Sequence, residues 1–151
     1  MNNLALWLIE DKEYASAEPL LREALELRRK LLGPEHADVA ASMTLLAALL
    51  VDTPQYEEAR SLAGDAKTIC AEAFSPDHWR TASAASAEGA ALAGLQRYAE
   101  AEPVLLESFN TLRNDSGALP FYVSNASRWL ADLYRALGRP DEAAKYQVVK
   151  Q

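Results

Sequence analysis

EYASAEPLL (13–21), QYEEARSLA (55–63), RYAEAEPVL (97–105) and RPDEAAKYQ (139–147) stand in one register. Their second residues, Tyr14, Tyr56, Tyr98 and Pro140, are each 42 positions from the next, and each is followed three residues later by an alanine: Ala17, Ala59, Ala101 and Ala143. Other columns keep the same step. Leu4, Leu46 and Leu130 align, with Glu88 as the odd member; Ala5, Ala47, Gly89 and Ala131 align; so do Leu8, Leu50, Leu92 and Tyr134, then Ala40, Ala82 and Ser124, and the turn residues Gly33, Ser75 and Gly117. A period that spans the chain makes a repeat architecture the first hypothesis.

Each unit reads as two helices. The first is short and apolar, as in SMTLLAALLV (42–51), and is followed by a turn near Pro54, Gly94 or Gly138. The second is longer and amphipathic. In the first unit Ala17, Leu20, Leu21, Ala24, Leu27 and Leu31 follow helical spacing and are expected to form the buried stripe, with Glu23, Glu26, Arg22, Arg28, Arg29 and Lys30 on the wet side. Gly33-Pro34 then stops the helix.

Composition agrees with helix. The chain has 151 residues, half of them apolar and only 6 glycines, enough for one domain with a sizeable core. A net charge of −7 disfavours nucleic acid, whose binding depends on neutralising phosphates, and anionic membrane surfaces. The longest apolar run, LLAALLV (45–51), is far short of the ~18–20 residues of a membrane span. Cys70 is the single cysteine, so there is no internal disulfide, and the expected location is cytoplasmic.

His36 and His78, the only histidines, sit in GPEHAD (33–38) and SPDHWR (75–80), again 42 apart. Successive turns of a solenoid are separated by about 8–10 Å per helix layer, whereas zinc ligands must each approach the ion to about 2 Å. The third unit has Pro120 in this place and supplies no ligand. The expectation is no metal site and no cofactor; Pro-acid-His starts the next helix.

The stretch NNLALWLIEDKEYASAEPLLREALELRRKLLGPEHADVAAS (2–42) resembles a tetratricopeptide repeat of the long kind found in kinesin light chains. The common form has about 34 residues, and about eight more lengthen the second helix by roughly two turns. The resemblance runs over essentially the whole chain, as a single domain with repeats near 1–35, 36–77, 78–119 and 120–151. It implies a right-handed all-α solenoid of antiparallel helix pairs, about three and a half of them. SPDHWRTASAASAEGAALAGLQRYAEAEPVLLESFNTLR (75–113) with LADLYRALGRPDEAAKYQ (130–147) further resembles the C-terminal tail of bacterial multidomain proteins, some with an upstream serine/threonine kinase domain. No glycine-rich loop or His-Arg-Asp catalytic loop stands in this chain, so the expectation is the non-catalytic end of a larger protein.

The resemblance also implies a concave peptide groove lined by the first helix of each pair. Its positions fall on Asn2, Leu6, Ile9 and Glu10; on Ala41, Thr44, Ala48, Val51 and Asp52; on Ser83, Ser86, Ala90, Ala93 and Gly94; and on Asn125, Arg128, Asp132 and Arg135. Asn2 matches the family's backbone-holding asparagine. Thr44, Ser86 and Arg128 replace it in the later units, and Asn125 stands one turn earlier in its helix. Arg128 and Arg135, seven apart and so on one face, are placed to grip an acidic group of the ligand; the plainer reading is two solvated arginines. Glu88 in a leucine column calls for local repacking or a basic partner, with Arg97 and Arg60 as candidates.

The remaining chemistry is sparse. The carboxylate pairs Glu57-Glu58, Glu100 with Glu102, and Asp141-Glu142 stand at the wet starts of second helices. Cys70 falls in the stripe Ala59, Leu62, Ala63, Ala66, Ile69, Cys70, Ala73 and reads as a small buried hydrophobe. Trp7, Trp79 and Trp129 are isolated and read as packing residues. The sequence therefore points to a non-catalytic protein-interaction module whose partner is a peptide or a protein surface. The alternative is a structural spacer, or a self-association segment using exposed terminal helices.

Overall fold

The computed structural model describes residues 2–147, with side chains from Leu4 onward. Among them are eight helices and no strand: α1 (Asn2–Glu10), α2 (Tyr14–Leu32), α3 (Ala37–Asp52), α4 (Tyr56–Ala73), α5 (Trp79–Gly94), α6 (Tyr98–Asn114), α7 (Pro120–Ala136) and α8 (Pro140–Lys145). Consecutive helices pack against each other, α3 also touches α1 and α5, and α5 touches α7. The result is a stack of helical hairpins: three with a long second helix, and a fourth whose second helix, α8, has six residues.

The 42-residue step sets the helix ends. α1, α3, α5 and α7 stop at Glu10, Asp52, Gly94 and Ala136, and the second helices start at Tyr14, Tyr56, Tyr98 and Pro140. Each hairpin turn therefore has three residues. Lys12, Gln96 and Gly138 occupy the left-handed region, with φ of 63°, 63° and 69°. Their N–H groups donate to Ile9, Ala93 and Arg135, and the next residue donates back to Leu8, Leu92 or Tyr134. This is the paired hydrogen bonding of a Schellman motif, which satisfies carbonyls that the helix end leaves free. The second hairpin has Pro54 at that place and so no N–H to give; it keeps only the outer bond, from Gln55 to Leu50 at 2.8 Å.

Between hairpins, histidine does the capping. His36 Nδ1 accepts the Asp38 N–H at 3.0 Å, and His78 Nδ1 accepts the Arg80 N–H at 3.2 Å. Each side chain satisfies one of the orphan donors at the helix start. α7 departs from this pattern. Pro120, in the histidine register, is already the first helical residue, and Leu119 precedes it without a side-chain cap.

α3 and α5 form the centre. Every residue from Ser42 to Leu50 is buried, as are Thr81, Ala82, Ser83, Ala84, Ser86, Ala87 and Gly89–Leu92. A Cβ on Gly89 would lie 2.9 Å from Leu105 Cγ, so the absent side chain sets how closely α6 approaches. The second helices bury one stripe each: Ala17, Leu21, Ala24 and Leu25; Ala59, Ala63, Ala66 and Cys70; Ala101, Leu105, Ser108 and Leu112.

Three sequence expectations need correction here. Leu27 and Leu31 are exposed, not part of the buried stripe; Ile69, the column mate of Leu27, is half-buried against the core, and Ala73, the column mate of Leu31, is exposed too. Glu88 is partnered by neither Arg97 nor Arg60. It reaches Lys67 Nζ on α4 at 2.5 Å, over the bare Gly64. Trp7 also differs from its expected packing role: it is 58% exposed, while its column mates Leu49, Ala91 and Leu133 are at most 1% exposed.

Candidate functional site

The concave side is built from α1, α3, α5 and α7. Thr44, Ala48, Ser83, Ser86, Ala90 and Asn125 are all buried, where mostly small side chains let the helices pack closely. Ala93, Val51, Leu6 and Ala41 are half-buried, Ile9 is buried, and Glu10, Asp132 and Arg135 are exposed. The side chain of Asn2 lies outside the described residues.

Arg128 does not wait for a ligand. Its guanidinium reaches across to the end of α3 and holds Asp52 with two parallel bonds, Nη1–Oδ1 and Nη2–Oδ2, both 3.0 Å. Nη2 also donates to Asn125 Oδ1 at 3.1 Å, and the Tyr14 hydroxyl donates to Asp52 Oδ2 at 3.4 Å. A planar guanidinium matched to a carboxylate in this way is the strong form of an ion pair. Arg135 bonds Asp132 on its own helix at 2.9 Å and remains at the surface. The two arginines that the sequence placed together thus part company: one ties the first-helix row together, the other faces out.

The tie borders two recesses of the concave side. Toward the N-terminus, Ile9, Glu10, Tyr14, Phe121, Asn125 and Arg128 are among the residues lining a space of about 630 Å³. Toward the C-terminus, Val51, Tyr56, Ala93, Gly94, Tyr98 and Trp129 are among those lining about 210 Å³. Gly94 shapes the second recess. A Cβ there would stand 2.3 Å from the Tyr56 ring, so only glycine lets Tyr56 lie against the end of α5. Trp129 is 6% exposed and its Nε1 has no hydrogen-bond acceptor among the described residues.

The aromatic walls were not singled out from sequence. Tyr14, Tyr56 and Tyr98 were visible as the marker of the period, but a register marker says nothing of which side a ring faces. Trp129 was read as packing, and it is buried; that it also lines a recess required the geometry.

Of the carboxylates flagged in the sequence, all but Asp141 are held by arginines: Glu58 by Arg22 at 2.7 and 3.0 Å, Glu57 by Arg60 at 3.7 Å, Glu100 by Arg97, and Glu102 and Glu142 by Arg139. Hydrogen bonding to Arg22 holds the Glu58 carboxyl below its ordinary pKa. Burial pushes the Cys70 thiol up, away from the thiolate that a nucleophile needs. Among the described residues no three His, Cys, Asp or Glu side chains gather as a metal site.

Residues 1–66 match the family model described as tetratricopeptide repeat. The fold is a tetratricopeptide-repeat solenoid. Among solved structures, the nearly identical TPR-like repeats of a Podosopora anserina protein assigned as a kinesin light chain superpose with a TM-score of 0.70, and a single-residue variant of that protein with 0.69. Each is 22% identical, over 95% of this chain and 68% of that one. No curated protein matches. Tetratricopeptide repeats are generally protein-interaction modules and typically non-catalytic. No helix of the described residues is long and apolar enough to cross a membrane.

Proposed function

We propose that the chain is a non-catalytic module that binds a protein partner at the C-terminal recess of its concave side. The observation that carries this reading is the unsatisfied Trp129 Nε1 at a recess walled by Tyr56, Tyr98 and Trp129. A buried donor without an acceptor costs about 1–3 kcal/mol, and marks this end of the core as held for something other than packing alone. Aromatic rings beside a polar handle suit protein recognition. Exposed Arg135, next in the chain to the recess-lining Ala136 and tied only within its own helix, is the group for an acidic side chain of the partner. The Arg128–Asp52 pair standing between the recesses argues for a short inserted segment rather than an extended peptide running the length of the face.

A photo-crosslinking amino acid at exposed Ala136, which lines this recess, tests the reading against the same group at exposed Asn110 on α6. The expected result is a protein captured from a source lysate by the Ala136 probe alone and diminished by Arg135→Glu. Equal capture from Asn110, or capture indifferent to Arg135→Glu, would contradict it.

A second reading rests on a different observation. Leu4 and Trp7 are 52% and 58% exposed on the outer face of the first hairpin, in columns that are otherwise buried except at Glu88. A second copy of the chain covering that face would make the segment a self-association element. Sedimentation over a wide concentration range, with Trp7→Glu as control, separates the two: a dimer abolished by the substitution supports self-association, and a monomer throughout removes it.

A further inference from the structure

A third recess, of about 190 Å³, opens where α5 and α7 begin. We propose that it binds a small apolar carboxylic acid, with the carboxylate on Arg80 and the apolar body against Leu6, Leu45, Trp79 and Leu119. This stands independently of Arg128, Arg135 and the protein-binding reading.

The charge is the first argument. The chain carries a net −7, yet no acidic residue lines this recess. Arg80 does, and among the described residues no carboxylate lies within ion-pair distance of it. Its guanidinium is held instead by rings, 5.1 Å from the centroid of Phe74 and 5.3 Å from that of Trp79. Those contacts fix the cation without neutralising it. The first turns of α5 and α7 both border the recess, and their positive dipole ends favour an anion further. Every fixed charge on the wall thus has one sign.

The hydroxyl groups fit the same ligand. Tyr122 lines the recess, and burial pushes its pKa up to about 12, so it stays a neutral donor across the physiological range. Cys70 lies at the wall with its thiol pKa also raised by burial, and it contributes packing surface, not charge.

Size sets the ligand. A cavity of roughly 150 Å³ holds a benzene ring, so this one suits an acid of about eight to ten heavy atoms. The rest of the wall is apolar apart from Thr44 and Ser83, whose hydroxyls already donate to the carbonyls of Ala40 and Trp79. Such a wall offers an uncharged polar ligand little and an apolar acid both of its requirements.

The test is an NMR titration of the full chain with benzoate and hexanoate against benzamide and hexanamide, which keep the shape and remove the charge. The expected result is saturable shifts at residues 79–83 and 119–122 for the acids, with the amides at least tenfold weaker. Arg80→Gln should bring the acids down to the level of the amides at an unchanged melting temperature. Ala41→Leu, which fills the recess while leaving Arg80 in place, should abolish both. Equal binding of acid and amide, full affinity in either variant, or no shift at millimolar ligand overturns the proposal. Tight binding of a peptide ending in an apolar residue, with the free acids inert, overturns it in favour of a partner's C-terminus.

Discussion

α5 and α7 hold the same place in successive hairpins, yet α5 has Ser86, Ala87 and Ala90 where α7 has Arg128, Trp129 and Asp132. The neighbours explain the difference. α5 is packed by α3, α4, α6 and α7, so a large side chain in these columns would push helices apart. α7 has one first-helix neighbour, α5, and open space on the concave side. Its large residues spread over that space: Trp129 buries itself in the core shared by α3, α5 and α7, and Arg128 reaches Asp52. A thin helix sets the spacing of the solenoid and a thick one closes its inner face.

That contrast makes unequal effects at equal positions. Leu46 and Leu4 share a column, but Leu46 is 1% exposed and Leu4 52%. Leu46→Ala should cost about 2–5 kcal/mol in denaturant unfolding, and Leu4→Ala less than about 1 kcal/mol. Equal losses would mean that the first hairpin is covered in solution. Next in size, Gly89→Val should cost about 1–3 kcal/mol by overpacking against Leu105 and Val104, read as a fall in melting temperature. The α7 counterpart, Ala131, already carries a methyl group and is 2% exposed.

The smallest effects belong to the turns. Gln96→Gly relieves a left-handed backbone and should add about 0.5–1 kcal/mol, while Gly138→Ala should remove about as much. Pro54→Gly, at the one turn of different geometry, should bring no such gain, because it frees the unfolded chain more than the folded one. Thermal melts of the three variants side by side decide the matter.

The helix boundaries were legible in sequence because the period is a local property, repeated in Tyr14, Tyr56 and Tyr98 and in the alanine three residues beyond each. The histidines were legible for the same reason: recurrence at 42 marked them as helix starts, and both proved to be caps. What local pattern cannot carry is the reach of long side chains. Nothing near Arg128 in the chain names Asp52, 76 residues earlier, as its partner, and nothing near Glu88 distinguishes Lys67 from Arg60. Burial depends on neighbours too. Leu27 and Leu31 keep helical spacing, yet both are exposed. The groove positions carried over from the family fall on α1, α3, α5 and α7; that Thr44 and Ser83 border one recess and Ala90 another, while Ala48 and Ser86 are buried, required the geometry.

The central claim is that Arg128 ties α7 to α3 and so closes the concave face internally. A double-mutant cycle with Asp52→Ala and Arg128→Ala tests it most directly. Asp52 is largely shielded while Arg128 is 42% exposed, so solvent screens part of the attraction. The account predicts a coupling energy of about 1–2 kcal/mol in equilibrium unfolding, weakening with added salt. Losses that simply add, with coupling within about 0.3 kcal/mol of zero, would contradict it and leave Arg128 free for a partner's carboxylate.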